Sequence, residues 1–221
     1  MDNRNRRGFA SRSTLLVLVA ALAAGLGLYA AQRYFTPVAP RAALTGQALE
    51  AVRLIDPPRQ LGPYLLTRSD GSALGAAQLR GHWTIVFLGF THCPDVCPTT
   101  LAELAKAQKS WRSIDPSTRP RLLFVSVDPE RDTPAITGDY ARFFDADTIA
   151  ATANAEPLAN FAATMGLVYM KVPLDEGGYS MDHSATLVVL DPQGRQAGLI
   201  RPPLKWDDIA GDLRLLSAVQ P

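Results

Sequence analysis

The only two cysteines of the chain fall in one short stretch, FTHCPDVCP, at residues 90 to 98. Cys93 and Cys97 are four positions apart, so on a helix they would share one face. Pro98 suits a first helical turn, where its missing N–H would be unpaired anyway. Cys97 is therefore expected near a helix amino terminus, with Cys93 in the loop just before it. A helix dipole at that point lowers a thiol pKa and favours thiolate. Thiolate is the form that binds soft metals and attacks disulfides. Three chemistries fit. A structural disulfide is possible, although so short a link removes little chain entropy. A dithiol oxidoreductase is possible, although its usual signature, Cys-x-x-Cys, is one residue shorter. A metal site uses the wider spacing comfortably. Two soft thiolates select Cu(I) or zinc. Two ligands alone hold Cu(I), whereas Cu(II) or zinc requires a further donor.

The sequence offers three histidines as that donor. His82, in RGHW, precedes an apolar run and reads as a solvated loop residue. His92 adjoins Cys93, but neighbours in an extended chain face opposite sides. His183, in YSMDHSATLVVLD, lies far along the chain, just before another apolar run. Its alternative reading is a capped turn, because Asp182 and Ser184 are both turn formers.

The elements around these residues set what can meet. YLLTRSDGSALGAAQLRGHW reads as a short hairpin turning at Asp70-Gly71. Thr84 to Phe90, TIVFLGF, is a continuous apolar run, as expected of a strand buried on both faces. After the cysteines, TTLAELAKAQKSW places Leu101, Leu104 and Trp111 on the inward face of a helix. Arg121 to Val127, RLLFVSV, is a second buried strand, followed by DPERDTP and a helix in AITGDYARFF. TIAATAN is a third strand or an extended link. EPLANFAATMGLVYMKV starts helical and ends extended. SATLVVLDPQGRQAGLI gives two strands about a turn at Asp191 to Gly194. KWDDIAGDLRLLSAV closes as an amphipathic helix with Trp206, Ile209, Leu213 and Leu216 on one stripe.

The order β-α-β-α, then β-β-α, with cysteines where the first buried strand turns into its helix, predicts an α/β layer fold of thioredoxin-like type. Ligands of open α/β sheets gather beyond the carboxyl ends of strands, where the cysteines stand. In such a sheet the loop entering the penultimate hairpin packs against the first helix's amino terminus. His183 could there complete a Cys, Cys, His set. Many thioredoxin-like redox enzymes place a proline before the strand facing their cysteines. DHSATLVVLD has none, which favours metal handling over general dithiol exchange.

The totals are those of one ordinary domain plus an appendage: 221 residues, 47% hydrophobic, 19% charged, net charge +1. The near-zero charge gives no support for a nucleic-acid partner, and two cysteines exclude a disulfide framework. The charge is uneven. Residues 1–12 carry Arg4, Arg6, Arg7 and Arg12 against Asp2, a basic arm. Residues 13–31 are uncharged, the length of a helix crossing ~30 Å of hydrocarbon. They are expected to form a transmembrane anchor with a cytoplasmic amino terminus, Tyr29 and Tyr34 lying at the far interface. A cleaved signal peptide is the alternative, with Ala21 to Ala23 as its cleavage site. Residues 32–62, dotted with prolines, read as a linker, and 63–221 as the thioredoxin-like domain. In a bacterium that domain would be periplasmic, where thiols can be oxidised.

GFTHCPDVCPTTL, VSVDPERDTP and DHSATLVVLD, in that order, closely resemble the motifs of the Sco/SenC family of membrane-tethered copper proteins. The resemblance covers roughly Pro63 to Leu216. It implies a thioredoxin-like fold with an amino-terminal anchor in the inner membrane, and copper, as Cu(I) and Cu(II), bound by Cys93, Cys97 and His183. It implies that Asp128 lies near the site and orients its ligands. His92 and Asp95 match the motif without being ligands. The implied role is in cytochrome c oxidase assembly, either delivering copper to the copper-A centre of subunit II or reducing that subunit's cysteines. The implied partners are subunit II and another periplasmic copper carrier.

Overall fold

The computed structural model describes residues 12–35, 48–175 and 177–219. They fall into two units, one containing the amino-terminal helix and the other everything from residue 48 onward. Helix α1 runs from Arg12 to Phe35. Its side chains are described over 14–29 and are exposed, Leu16, Leu22 and Leu26 among them. The expected helix is present, but among the described residues no helix is long and apolar enough to cross a membrane. The basic arm before Arg12, the side chain of Tyr34 and linker residues 36–47 lie outside the described residues.

Part of the expected linker is a strand. β1 spans Val52–Arg59 and pairs antiparallel with β10, Gln196–Ile200. The buried carboxylate of Asp212 accepts hydrogen bonds from the backbone N–H groups of Glu50, Ala51 and Val52. That ties the incoming chain to the last helix. Pro57 and Pro58 hid this strand by breaking its alternation. Prolines are tolerated there because β1 is an edge of the sheet. Residues 50–59, expected as linker, are therefore part of the packed domain.

β2 (Leu66–Arg68) and β3 (Ala73–Leu74) form the expected hairpin. Gly71 takes a positive φ of 83° at its turn, a conformation that glycine adopts without steric cost. A single helical turn, α2 (Ala76–Leu79), follows. β4 (Thr84–Gly89) is buried at every position and α3 spans Val96–Trp111. β5 (Arg121–Ser126) runs parallel to β4, then come α4 (Pro134–Phe144), β6 (Ile149–Thr152) and α5 (Ala155–Met165). TIAATAN is thus a true strand, parallel to β5. β7 (Tyr169–Pro173) and β8 (Tyr179–His183) form a two-stranded sheet of their own. β9 (Leu187–Leu190) pairs antiparallel with β4 and β10, and α6 (Trp206–Ala218) ends the domain.

The main sheet has the order β1-β10-β9-β4-β5-β6-β2-β3. Its centre, with parallel β4 and β5 joined by α3 and an antiparallel β9–β10 hairpin leading into α6, is the thioredoxin-like α/β arrangement. Leu101, Leu104 and Trp111 of α3 are fully buried, as their spacing predicts. Each such burial contributes on the order of 2 kcal/mol. The Trp111 indole N–H donates to the Ala210 carbonyl at 3.1 Å, locking α3 to α6. On α6, Ile209, Leu213 and Leu216 are buried, whereas Trp206, at the helix's first position, is 38% exposed and leaves the expected stripe.

Candidate metal centre

The cysteine loop leaves the end of β4 through Gly89. A Cβ on Gly89 would lie 2.8 Å from the Phe124 ring and 3.1 Å from the Cys97 sulfur. Only glycine lets the buried thiol sit against the strand backbone. A second anchor is Asp132, which is fully buried. Its carboxylate accepts from the Thr91 N–H at 2.8 Å, from the Thr91 hydroxyl and from the Ser126 hydroxyl. This carboxylate fixes the turn that delivers Cys93.

Cys93 is half-buried in that loop and Cys97 is the second residue of α3, completely buried. Both are free thiols, and the Cys97 N–H donates to the Cys93 sulfur at 3.3 Å. The positions are as expected, but the electrostatics differ. Burial pushes the Cys97 thiol well above its ordinary pKa, and the neighbouring Cys93 thiol adds to the effect. Desolvation outweighs the helix dipole here.

His183 comes to the same place. It is the last residue of β8, not a residue of a capped turn. Its Nε2 lies 3.4 Å from the Cys97 sulfur, across 86 positions of sequence. Its Nδ1 lies 3.2 Å from the Ser184 carbonyl. A proton on Nδ1 satisfies that carbonyl and leaves the Nε2 lone pair aimed at the thiols. The ring stands edge-on to Phe87 and Phe90, with centroids 6.0 and 6.2 Å away. Burial depresses the His183 pKa, which keeps the imidazole neutral. Two sulfurs and a neutral imidazole nitrogen, enclosed by aromatic rings, suit soft or borderline copper.

Asp128 touches neither sulfur nor imidazole. It is buried, pairs with the Arg131 guanidinium, and accepts from the Tyr179 hydroxyl at 2.8 Å. Arg131 also donates to the Tyr179 carbonyl at 3.1 Å and lies over the Tyr179 ring at 3.8 Å. Tyr179 opens β8, the strand that His183 ends, ~13 Å away at the usual rise. Asp128 therefore clips the strand that carries His183 to the loop after β5. Ser184 secures the other end: its N–H donates to the Val168 carbonyl at 2.9 Å, and its hydroxyl accepts from the Val168 N–H at 3.0 Å.

The remaining histidines stay apart. The His92 side chain is 54% exposed, bonds the Thr91 hydroxyl at 3.0 Å and lies 3.6 Å from Asp132. His92, Asp128 and Asp132 do bring potential ligand atoms within 4.8 Å of one another. However, both carboxylates are occupied by Arg131, Tyr179, Thr91 and Ser126, so this cluster is a structural network. His82 is buried, not solvated. Its Nδ1 lies 2.9 Å from the Arg119 carbonyl, and burial lowers its pKa.

Gly89, Asp132, Arg131, Tyr179 and Tyr140 were not marked by sequence reasoning. The glycine inside an otherwise apolar strand was a usable signal of close backbone approach. Tyr140 gave none. Its ring packs on Phe124 at 5.7 Å, and its hydroxyl is buried without a hydrogen-bond partner. Burial raises its pKa, and the thiols Cys97 and Cys93 raise it further, which sets the hydroxyl within electrostatic reach of the site.

The SCO1/SenC family model matches residues 53–217. The copper-bound crystal structure of ScoI from Arabidopsis thaliana is similar with a TM-score of 0.65 and 31% identity, covering 72% of this chain and 98% of that one. The copper-bound structure of ScoI from Bradyrhizobium japonicum is similar with a TM-score of 0.64 and 34% identity, covering 70% and 97%. The mitochondrial SCO1 homolog 1 of Arabidopsis thaliana is 37% identical over 137 residues, which is 60% of this chain and 39% of that protein's length.

Proposed function

Because the chain belongs to the SCO1/SenC family, we propose that it is a copper protein of cytochrome c oxidase assembly. Cys93 and Cys97 capture Cu(I), and His183 joins them to hold Cu(II). The observation that carries this reading is the approach of His183 Nε2 to the Cys97 sulfur at 3.4 Å, with its other nitrogen tied to the backbone. A histidine that arrives on a separate hairpin with a free lone pair adds a third donor to two thiols. The copper is cargo: another periplasmic carrier loads this chain, which passes the metal to the copper-A centre of oxidase subunit II. The uncharged run at 13–31 behind a basic arm supports an inner-membrane anchor with the domain in the periplasm. Protease added to spheroplasts should cleave the domain, and cleavage only after the inner membrane is opened would contradict that placement.

The test is copper stoichiometry and oxidation state on the purified chain. One copper per chain is expected, with most binding lost in Cys93→Ser or Cys97→Ser. Full retention by the double variant would sink the reading. His183→Ala should keep Cu(I) and lose the parent's Cu(II) absorption spectrum.

A thiol–disulfide reductase for the same subunit is the second reading, favoured by the unequal exposure of the pair. Half-buried Cys93 would attack a partner disulfide, and buried Cys97 would then resolve the mixed disulfide. Two electrons and two protons pass to the partner, leaving a disulfide here. This reading needs no His183, so normal oxidase assembly in a His183→Ala strain would select it.

A further inference from the structure

Arg121 opens β5, whose far end reaches the cysteine loop, so Arg121 lies at the opposite end of the sheet. A cleft of about 340 Å³ opens there, its polar lining made of Arg68, Gln78, Gln108, Arg119, Arg121 and one acid, Asp147, against an apolar wall that includes Trp111. The local acids and carbonyls are already committed. Asp145 and Asp147 pair with Arg112. Arg119 donates to the carbonyls of Ile114 and Arg112. Asp70 accepts from the Ser72 N–H and hydroxyl in the exposed hairpin turn and feels the Arg68 charge without forming an ion pair with it. Among the described residues neither Arg68 nor Arg121 has an ion pair or hydrogen bond for its guanidinium. The two are half-buried and repel each other. Burial lowers the Arg121 pKa, and the Arg68 charge lowers it further.

The amides in the cleft have the same polarity. The Gln78 Oε1 accepts from the Gly75 N–H at 2.9 Å, and the Gln108 Oε1 accepts from the Thr148 hydroxyl at 2.8 Å. Their acceptor ends are taken and their NH₂ donors remain. A cleft with two unpaired guanidiniums and two spare amide donors is complementary to a compact anion.

We propose that this cleft is an anion site, binding a phosphate group between Arg68 and Arg121. The source is a free phosphate or phosphate ester; a phospholipid headgroup offers the same chemistry. The proposal is independent of the copper reading, and its test uses the metal-free chain, so either can fail alone.

The experiment titrates inorganic phosphate, and separately dihexanoyl phosphatidylglycerol, into the full chain in neutral detergent. Ionic strength is held constant with chloride. The Gln78 and Gln108 side-chain amides are followed by NMR, and Tm is measured. Phosphate should shift both amides saturably and raise Tm by about 2–4 °C. The Arg68→Gln/Arg121→Gln variant should keep or raise its own Tm, since a repulsion is removed, and should not respond to phosphate. A response to phosphatidylglycerol alone would support the site and assign the headgroup as its source. No saturable response to either probe, or an equal response in the double variant, would overturn the proposal.

Discussion

β4 and α3, which carry the cysteines, belong to an eight-stranded sheet and its packed helices, whereas β7 and β8, which carry His183, stand as a sheet of two. β4 is buried at all positions. On β7 and the residues around it, Val168, Met170 and Leu174 are all more than half exposed. An isolated two-stranded hairpin is marginal in water. This one is held by the Asp128–Arg131–Tyr179 clip, by Ser184, and by an exposed Lys171–Glu130 pair of little energetic weight. One half of the centre is therefore built into the core, and the other is docked onto it. In the proposed copper reading, Cu(I) would need only the core half, and Cu(II) would need the docked half as well.

Removing the clip tests this division most strongly. Asp128→Ala leaves the largely buried Arg131 cation without its partner, at a cost of about 3 kcal/mol. Its Cu(II) spectrum should resemble that of His183→Ala while Cu(I) stoichiometry stays at one. A parental Cu(II) band in this variant would break the proposed division. Gly89→Ala strikes the other half. Its Cβ would press on Phe124 and on the Cys97 sulfur, an overpacking worth about 1–3 kcal/mol. It should weaken Cu(I) retention and leave hydrogen exchange in β7 and β8 unchanged. Tyr179→Phe is the mildest change, removing one hydrogen bond to Asp128 worth roughly 1–2 kcal/mol. Amides of Met181 to His183 should exchange faster while those of β4 do not. Equal acceleration in both would mean that the hairpin and the core open together.

The same division governs what was legible in the sequence. β4, β5, α3 and the β9–β10 hairpin are local patterns with buried faces, and their residues announce themselves. The cysteine loop inherits its place from them. β1 was misread because two prolines mask a strand that is itself the edge of the sheet, paired on one side only, with β10. The β7–β8 hairpin was half seen, since Met170 faces outward and only Met181 is buried, which leaves no core periodicity to read. His183 was picked out as a candidate by its residue type, but its strand was not. The clip was invisible for a different reason. Asp128, Arg131 and Tyr179 meet across 51 positions, and no local pattern encodes that. Cys97 illustrates the limit of local electrostatics, because the helix dipole is readable from sequence while the burial that overrides it is not.

The borders of the large sheet carry one more consequence. At one border β1 holds Pro57 and Pro58, which have no N–H to offer, and its register with β10 shifts between Leu54 and Arg59. At the other border β3 is only two residues long. Neither rim offers a long, regular row of donors and acceptors to a strand from another molecule. A domain with a half-buried thiol and a docked two-stranded hairpin is thereby protected against strand-by-strand polymerisation with its own copies.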